Sequence, residues 1–240
     1  MIITRDSLGV GIYTPEEAAF YARVSPQLMN RWIFAAGGKS VIKPQIEDQP
    51  KSDRIVTFLD MIQALAIRDI RNTYKITLEK IRQAVEFVQR QTGVKHPFAM
   101  RHMTYIVSDR QHKGHGEIII RITEIDGDET KFIQASGKAS GNFVIRPVVE
   151  MYMDELTYDN EGLAEEYRPL AMNGERILLT PHRRFGEPIV ESCGYTAETL
   201  WEAAINEGSV DAAAMAFGVP ESAVRIAYKY YDHLSPKIDE

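Results

Sequence analysis

Apolar positions recur at helical spacing through most of the first hundred residues, and the turn residues between them mark where helices start. Thr14-Pro15-Glu16-Glu17 reads as a helix start. Thr14 can accept from the free first-turn amides, Pro15 suits the first helical position, and the two glutamates favour the positive end of the helix dipole. The expected helix covers Pro15–Ala22 and places Ala18, Ala19 and Ala22 on one side. Ser25-Pro26-Gln27 starts a second helix that reaches about Phe34 and is closed by Gly37-Gly38. Two short helices joined by a tight turn are the helix-turn-helix layout. In the second, Met29, Trp32 and Ile33 fall at i, i+3, i+4 and are expected in the core, while Gln27, Asn30 and Arg31 fall on the other face. That polar strip is the chemistry that reads base edges in the major groove. Ser25 and the amides beside it suit a phosphate. The next stretch, to Arg54, reads as a β-hairpin or a loop carrying Lys39, Lys43, Lys51 and Arg54, in the place of a wing. Two amphipathic helices follow, about Phe58–Asn72 and Leu78–Gln91, capped by Thr57 and Thr77 and ended by Gly93.

From about Arg101 the periodicity changes. Thr104–Val107, Glu117–Ile125 and Lys131–Gln134 read as strands, with a turn at Ile125-Asp126-Gly127-Asp128 and a break at Gly137–Gly141. Arg146–Leu156 carries Val148, Val149, Met151, Tyr152 and Leu156 and reads as a helix. After Arg176, Ile177–Leu179 reads as a strand, and a turn from Pro181 leads into a second extended piece ending at Val190. Three helical stretches close the chain, Thr196–Glu207, Ser209–Phe217 and Pro220–Leu234. The expectation is a mainly α protein in three parts: residues 1–100 with the helix-turn-helix, a small α+β middle at 101–172, and a three-helix unit at 173–240.

Composition narrows the class. The 240 residues are 44% hydrophobic and 26% charged, which fits a globular chain. No apolar run approaches the ~20 residues of a membrane span. No signal peptide is visible at the N-terminus, and Cys193 is the single cysteine, so a cytoplasmic protein with no membrane association is expected. The net charge of −6 conceals an asymmetry. Residues 1–100 carry 14 Lys and Arg against 10 Asp and Glu, net +4, and residues 101–240 carry 14 against 24, net −10. A basic amino half supports a nucleic-acid surface there.

Catalytic chemistry finds little support. The chain has no GxSxG, Walker loop, strand-linked GxGxxG or HExxH, so no catalytic residue and no cofactor is expected. Cys193 has no activating base nearby in sequence. His112 and His115, with His102, have a spacing that could hold one ion, but no cysteine pair or acidic third ligand accompanies them, and a solvated loop is the expectation. Tyr228, Tyr230 and Tyr231 could stack on single-stranded nucleic acid. A cluster between helices is the better reading of them.

Two runs carry a family resemblance. Tyr13-Thr14-Pro15-Glu16-Glu17-Ala18-Ala19 with Val24-Ser25-Pro26 and Arg31-Trp32, continued by Ile55–Asp60 and Ile76–Arg82, resembles the MerR-like and excisionase-like winged helix-turn-helix. Leu179-Thr180-Pro181, Gly186–Val190 and Gly208–Pro220 resemble a small trihelical domain that recurs in VapB-type antitoxins. Together, over nearly the whole chain, they resemble the two-domain VapB antitoxins that pair with a PIN-domain toxin. The resemblance implies a non-enzymatic antitoxin that neutralises a PIN-type endoribonuclease and represses its own operon, acting as a homodimer on operator DNA. The expected DNA contacts are Thr14, Arg23, Ser25, Gln27, Asn30, Arg31, Lys39 and Lys43. The expected partner contacts are Arg183, Arg184 and Lys237. The competing expectation is a ligand-responsive MerR-like regulator with an effector site in the middle region near Phe143, Met151 and Tyr152. A hydrolase within the acidic half is a weaker third.

Overall fold

The computed structural model describes residues 10–37, 39–101, 104–107, 117–123, 130–136, 149–150 and 154–234. His102, the His112–His115 loop, Asp126, Gly137–Gly141, Phe143, Arg146, Met151, Tyr152 and Lys237 lie outside them. The described residues are mostly helical, with seven α-helices and small antiparallel sheets of four strands. None of these helices is long and apolar enough to cross a membrane. The chain divides into two compact units, one of residues 14–153 and 158–164, the other of residues 1–13, 154–157 and 165–240. The middle segment, 101–172, is divided between them.

The first unit opens with α1 (Pro15–Ala22) and α2 (Pro26–Phe34), each started by a cap and a proline as the sequence predicts. Ala18, Ala19 and Ala22 are buried, and their small size lets the second helix pack closely. Residues 39–57 form an irregular loop with one 3-10 turn at Lys51–Asp53. Of the two readings of that stretch, the loop holds and the β-hairpin does not. Long-range bonds replace strand pairing: Trp32 O accepts from Val41 N at 2.7 Å and Ile42 N at 2.9 Å. The Gln49 side chain also staples the loop to itself, donating to Ile46 O and Ile55 O and accepting from Ile55 N. Helix α2 ends at Ala35 in extended backbone, before Gly37.

Helices α3 (Phe58–Tyr74) and α4 (Leu78–Thr92) follow, and Gly93 caps α4 in left-handed backbone. Every residue of α3 from Phe58 to Ile67 is buried, so this helix is the centre of the unit rather than one face of it. Its burial takes polar groups inside. Asp60 is fully buried in a capping box with Thr57, and its carboxylate accepts from Gln45 N at 3.2 Å and Thr57 N at 3.3 Å. Burial pushes that carboxyl up from 3.8 to about 6, against the lowering effect of the amides of Gln45 and Thr57 and the Thr57 side chain. His96, at the start of a 3-10 turn (Pro97–Ala99), is also buried, with Gln63 Nε2 donating to its Nδ1 at 3.0 Å. Burial, and then Lys95, push the imidazole down from 6.5 to about 4.

These two shifts have opposite consequences. The folded state holds the Asp60 proton that the unfolded chain releases, so its contribution to stability falls as pH rises from about 4 to 6. The unfolded chain takes the His96 proton that the folded state refuses, so that contribution falls as pH drops from about 6.5 to 4. Between pH 4 and 6 they cancel. Relative to the unmodified chain, D60N should therefore gain about 2–3 kcal/mol as pH rises from 4 to 6, on top of any constant offset. H96Q should gain a similar amount as pH falls from 6.5 to 4. Urea midpoints across pH 4–7 measure both, and flat difference curves would contradict the assignment.

A sheet completes this unit, with β1 (Thr104–Val107), β2 (Glu117–Thr123), β3 (Thr130–Gln134) and β4 (Val149–Glu150) in the order β3-β2-β1-β4. Residues 149–150 pair with β1, Ile106 opposite Val149, where the sequence reading expects a helix over Arg146–Leu156. Leu156 begins another strand, so the helix is corrected at both described ends. Helical spacing of apolar residues does not exclude a strand, and at Val149 the pairing with Ile106 decides it.

The second unit holds β5 (Leu156–Tyr158), β6 (Ala164–Met172), β7 (Glu175–Leu179) and β8 (Ile189–Val190), in sequential order. Asn173 and Gly174, both at positive φ, join β6 to β7 in a two-residue hairpin with Met172 opposite Glu175. The break expected at 172/173 lies inside this hairpin. Helices α5 (Ala197–Asn206), α6 (Val210–Phe217) and α7 (Glu221–Leu234) close the unit, with Thr196 capping α5 and Ser209 capping α6. Trp201 stacks on Tyr231 at 5.0 Å, and Tyr230 meets Tyr231 edge-on. Tyr230 and Tyr231 are buried between helices as expected, and Tyr228 is exposed. The carboxylate of buried Glu175 accepts from Ser192 Oγ at 2.5 Å and Ser222 Oγ at 3.0 Å, tying β7 to the turn after β8 and to α7.

Candidate nucleic-acid interface

The helix pair α1–α2 gathers most of the residues singled out from sequence. Arg23 ends α1 in left-handed backbone at φ 54°, exposed, with its own amide donating to Phe20 O. The chain turns at Val24 and Ser25 and enters α2. Gln27 and Arg31, four apart, share an exposed face of that helix, and Met29, Trp32 and Ile33 are buried on the other. The amphipathic split thus runs where the periodicity places it.

Three assigned side chains are already occupied. Thr14 Oγ1 accepts from Glu17 N at 3.1 Å while Glu17 returns a carboxylate to Thr14 N at 2.7 Å. Ser25 Oγ accepts from Leu28 N at 3.3 Å. Asn30 is half-buried, and its Nδ2 donates back to Pro26 O at 3.0 Å. These are the local side-chain bonds that hold helix starts and turns. They leave Gln27 and Arg31 as the α2 side chains with full donor capacity toward solvent.

Lys39 and Lys43 are exposed on the loop that returns to α2 through the Trp32 carbonyl. The Arg82 guanidinium donates to Lys39 O at 2.8 Å and so fixes that end of the loop from α4. The Arg68 guanidinium donates to Ala22 O at 2.9 Å and pairs with Asp69 at 2.8 Å. This bond closes the C-terminal end of α1 onto α3, just before Arg23. Neither role of Arg68 or Arg82 is readable from sequence, because each partner lies more than forty residues away. Leu28 is a further residue of this face: it is 38% exposed and three residues from Arg31. The alternation of buried positions around Met29 gives its signal, and an apolar side chain there suits contact with a thymine methyl.

Beside the C-terminal end of α2 a cavity of about 330 Å³ is lined by Phe34, Ala35, Pro44, Ile46, Asp48, Gln49 and Arg54. The Arg54 guanidinium lies 4.7 Å over the Phe34 ring, and its buried Nε has no partner among the described residues. In the other unit, Arg183 and Arg184 are exposed, and Cys193 is a half-buried free thiol 3.9 Å from Val190 O. Among the described residues no cluster of His, Cys, Asp and Glu is placed to hold a metal ion.

Comparison with known proteins finds two distant likenesses. No protein-family profile matches the chain. A protein of Mycobacterium tuberculosis (strain ATCC 25618 / H37Rv) named "Putative antitoxin VapB45" is 20% identical over 198 residues, covering 77% of this chain and 79% of its own. The crystal structure of Rv2018 from Mycobacterium tuberculosis superposes with a TM-score of 0.58 at 17% identity, over 90% of this chain and 96% of its own. The second likeness concerns the fold. The first is a distant likeness to a protein named as a putative VapB antitoxin.

Proposed function

We propose that the chain is the antitoxin of a toxin–antitoxin pair, binding operator DNA through α1–α2 and a PIN-type endoribonuclease toxin through the rest of the molecule. It acts by stoichiometric binding rather than catalysis, as a homodimer on paired half-sites. The observation that carries the DNA half is the solvent face of α2, where Gln27 and Arg31 stand free above a buried Met29-Trp32-Ile33 seam. Arg and Gln at one exposed helix face can give the bidentate contacts that distinguish guanine and adenine. Arg23, Lys39 and Lys43 supply phosphate neutralisation, which makes the binding fall steeply with salt. The toxin half is supported by the name of the mycobacterial relative.

Co-expression with the product of the neighbouring gene tests the reading: copurification and rescue of growth are expected. Within the DNA half, Arg31→Ala should weaken operator binding by roughly 1–3 kcal/mol, about 5- to 150-fold, and relax preference at one base pair. A gel-shift series in which that variant binds like the unmodified chain would remove Arg31 from the groove. The cavity under Arg54 and Phe34 favours a second reading, a ligand-responsive regulator whose effector sits against the end of α2. A small molecule that co-purifies with the chain and is lost on Arg54→Ala would support it.

A further inference from the structure

Asp48 and Arg54 carry opposite charges on the wall of one cavity and do not pair with each other or with any other carboxylate or cation among the described residues. The cavity is the space of about 330 Å³ beside Phe34, the last residue of α2. Arg54 is the more constrained of the two. Its guanidinium carbon lies 4.7 Å over the Phe34 ring, which sets the plane of the group and leaves its edge to donate. The Nε is buried without a partner, and no acceptor among the described residues takes a bond from the other two nitrogens. Buried donors are nearly always satisfied, so an orphan on a cavity wall calls for an acceptor that enters the cavity. Gln49 does not serve, because its amide is committed to Ile46 O, Ile55 O and Ile55 N. The planar fork of a guanidinium matches a carboxylate.

Asp48 decides among the molecules that bring one. A dianion or a polyphosphate that reaches Arg54 also meets the Asp48 carboxylate and is repelled. A simple amine that reaches Asp48 meets Arg54. Two single charges of opposite sign therefore select a ligand that is neutral overall, anionic at one end and cationic at the other. Pro44 and Ile46 add an apolar wall that suits an apolar body. The volume lies at the small end of the range of about 300–1,000 Å³ usual for ligand sites, which favours a small molecule. None of the lining residues falls in the middle segment, 101–172.

We infer that the cavity binds a free apolar α-amino acid, its carboxylate on Arg54, its ammonium on Asp48 and its side chain against Pro44 and Ile46. The inference rests on the ligand-responsive reading of this cavity and names the chemical class that reading leaves open. Calorimetry on the full chain tests it with L-leucine, L-phenylalanine and two probes that each lack one charge, 4-methylpentanoate and 3-methylbutylamine. At least one amino acid should bind about tenfold or more tightly than either single-charge probe, because only it meets both ionic partners. D48N should bring that affinity down to the level of 4-methylpentanoate. Asp48 is exposed at φ 55°, an angle that asparagine also tolerates, so this variant keeps the fold. R54K keeps a cation but loses the fork, and should weaken binding about tenfold. Binding of neither amino acid overturns the proposal, and so does an affinity that D48N leaves unchanged. Binding of 4-methylpentanoate as tight as that of the amino acids overturns the class and leaves the ligand-responsive reading standing. Amino-acid binding that follows these expectations but leaves operator affinity unchanged supports the site and removes the regulatory reading.

Discussion

Trp32→Ala should cost the unit that carries the candidate interface about 3–5 kcal/mol and abolish operator binding, although the indole faces away from solvent. Trp32 is among the largest fully buried side chains, between Met29 and Ile33 on the inner face of α2. Its removal leaves a cavity in a small core, under the turn of helix that presents Gln27 and Arg31. Its carbonyl also accepts from Val41 N and Ile42 N, so the position of Lys39 and Lys43 depends on α2 keeping its register here. One term works the other way. The buried indole Nε1 has no hydrogen-bond partner among the described residues, and an unsatisfied buried donor costs about 1–3 kcal/mol. Trp32→Phe removes that donor and keeps most of the ring, so it should fall within about 1.5 kcal/mol of the unmodified chain and bind the operator normally. Urea unfolding followed by far-ultraviolet circular dichroism, with gel shifts on the same samples, separates the two variants. Equal destabilisation by Phe and Ala would mean that ring volume is not what holds α2 in place.

The contrast between those variants shows where sequence is a sufficient guide. Thr14-Pro15, Ser25-Pro26, Thr57 and Ser209 fix helix starts through bonds to amides three residues on, and such short-range chemistry can be read directly. The seam of Met29, Trp32 and Ile33 follows from helical periodicity alone. Residues 149–156 do not, because a short apolar run fits helical spacing and strand alike until its partner is known, and Val149 finds that partner at Ile106. The same limit applies inside α3. Asp60 and Gln63 would read as its polar face, yet the loop at Gln45 and the turn at His96 cover them. At the candidate interface, the exposed face of α2 and the cap at Ser25 are readable, and the bond that turns Asn30 back onto Pro26 O is not. The turn at Arg184 and Phe185 is the extreme case, since it is set by Ile12 and Tyr13 from the opposite end of the sequence.

That dependence makes Gly186→Ala a damaging small change in the C-terminal unit. Gly186 is buried at φ 96°, a conformation that an alanine enters only with strain of about 1–3 kcal/mol. Space is the second obstacle. An added Cβ would meet the Tyr13 hydroxyl oxygen and approach its Cζ to 2.8 Å and Cε1 to 3.3 Å. Tyr13 is itself buried, so its ring cannot swing into solvent to make room. Displacing it also breaks the bond from the hydroxyl to Gly186 O, worth about 1 kcal/mol. A total loss of roughly 3–5 kcal/mol is expected, from backbone strain, overpacking and the broken bond together. A double-mutant cycle isolates the contact. In a Tyr13→Ala background the ring is gone, so adding Gly186→Ala should cost only the backbone share, about 1–3 kcal/mol. Tyr13→Phe alone should cost about 1–3 kcal/mol, because it leaves the Gly186 carbonyl without its donor. Thermal and urea unfolding, with Trp201 fluorescence reporting on this unit, measure all four corners. If Gly186→Ala costs the same with and without the Tyr13 ring, the N-terminal segment does not hold the turn, and the presentation of Arg184 and Phe185 must have another cause.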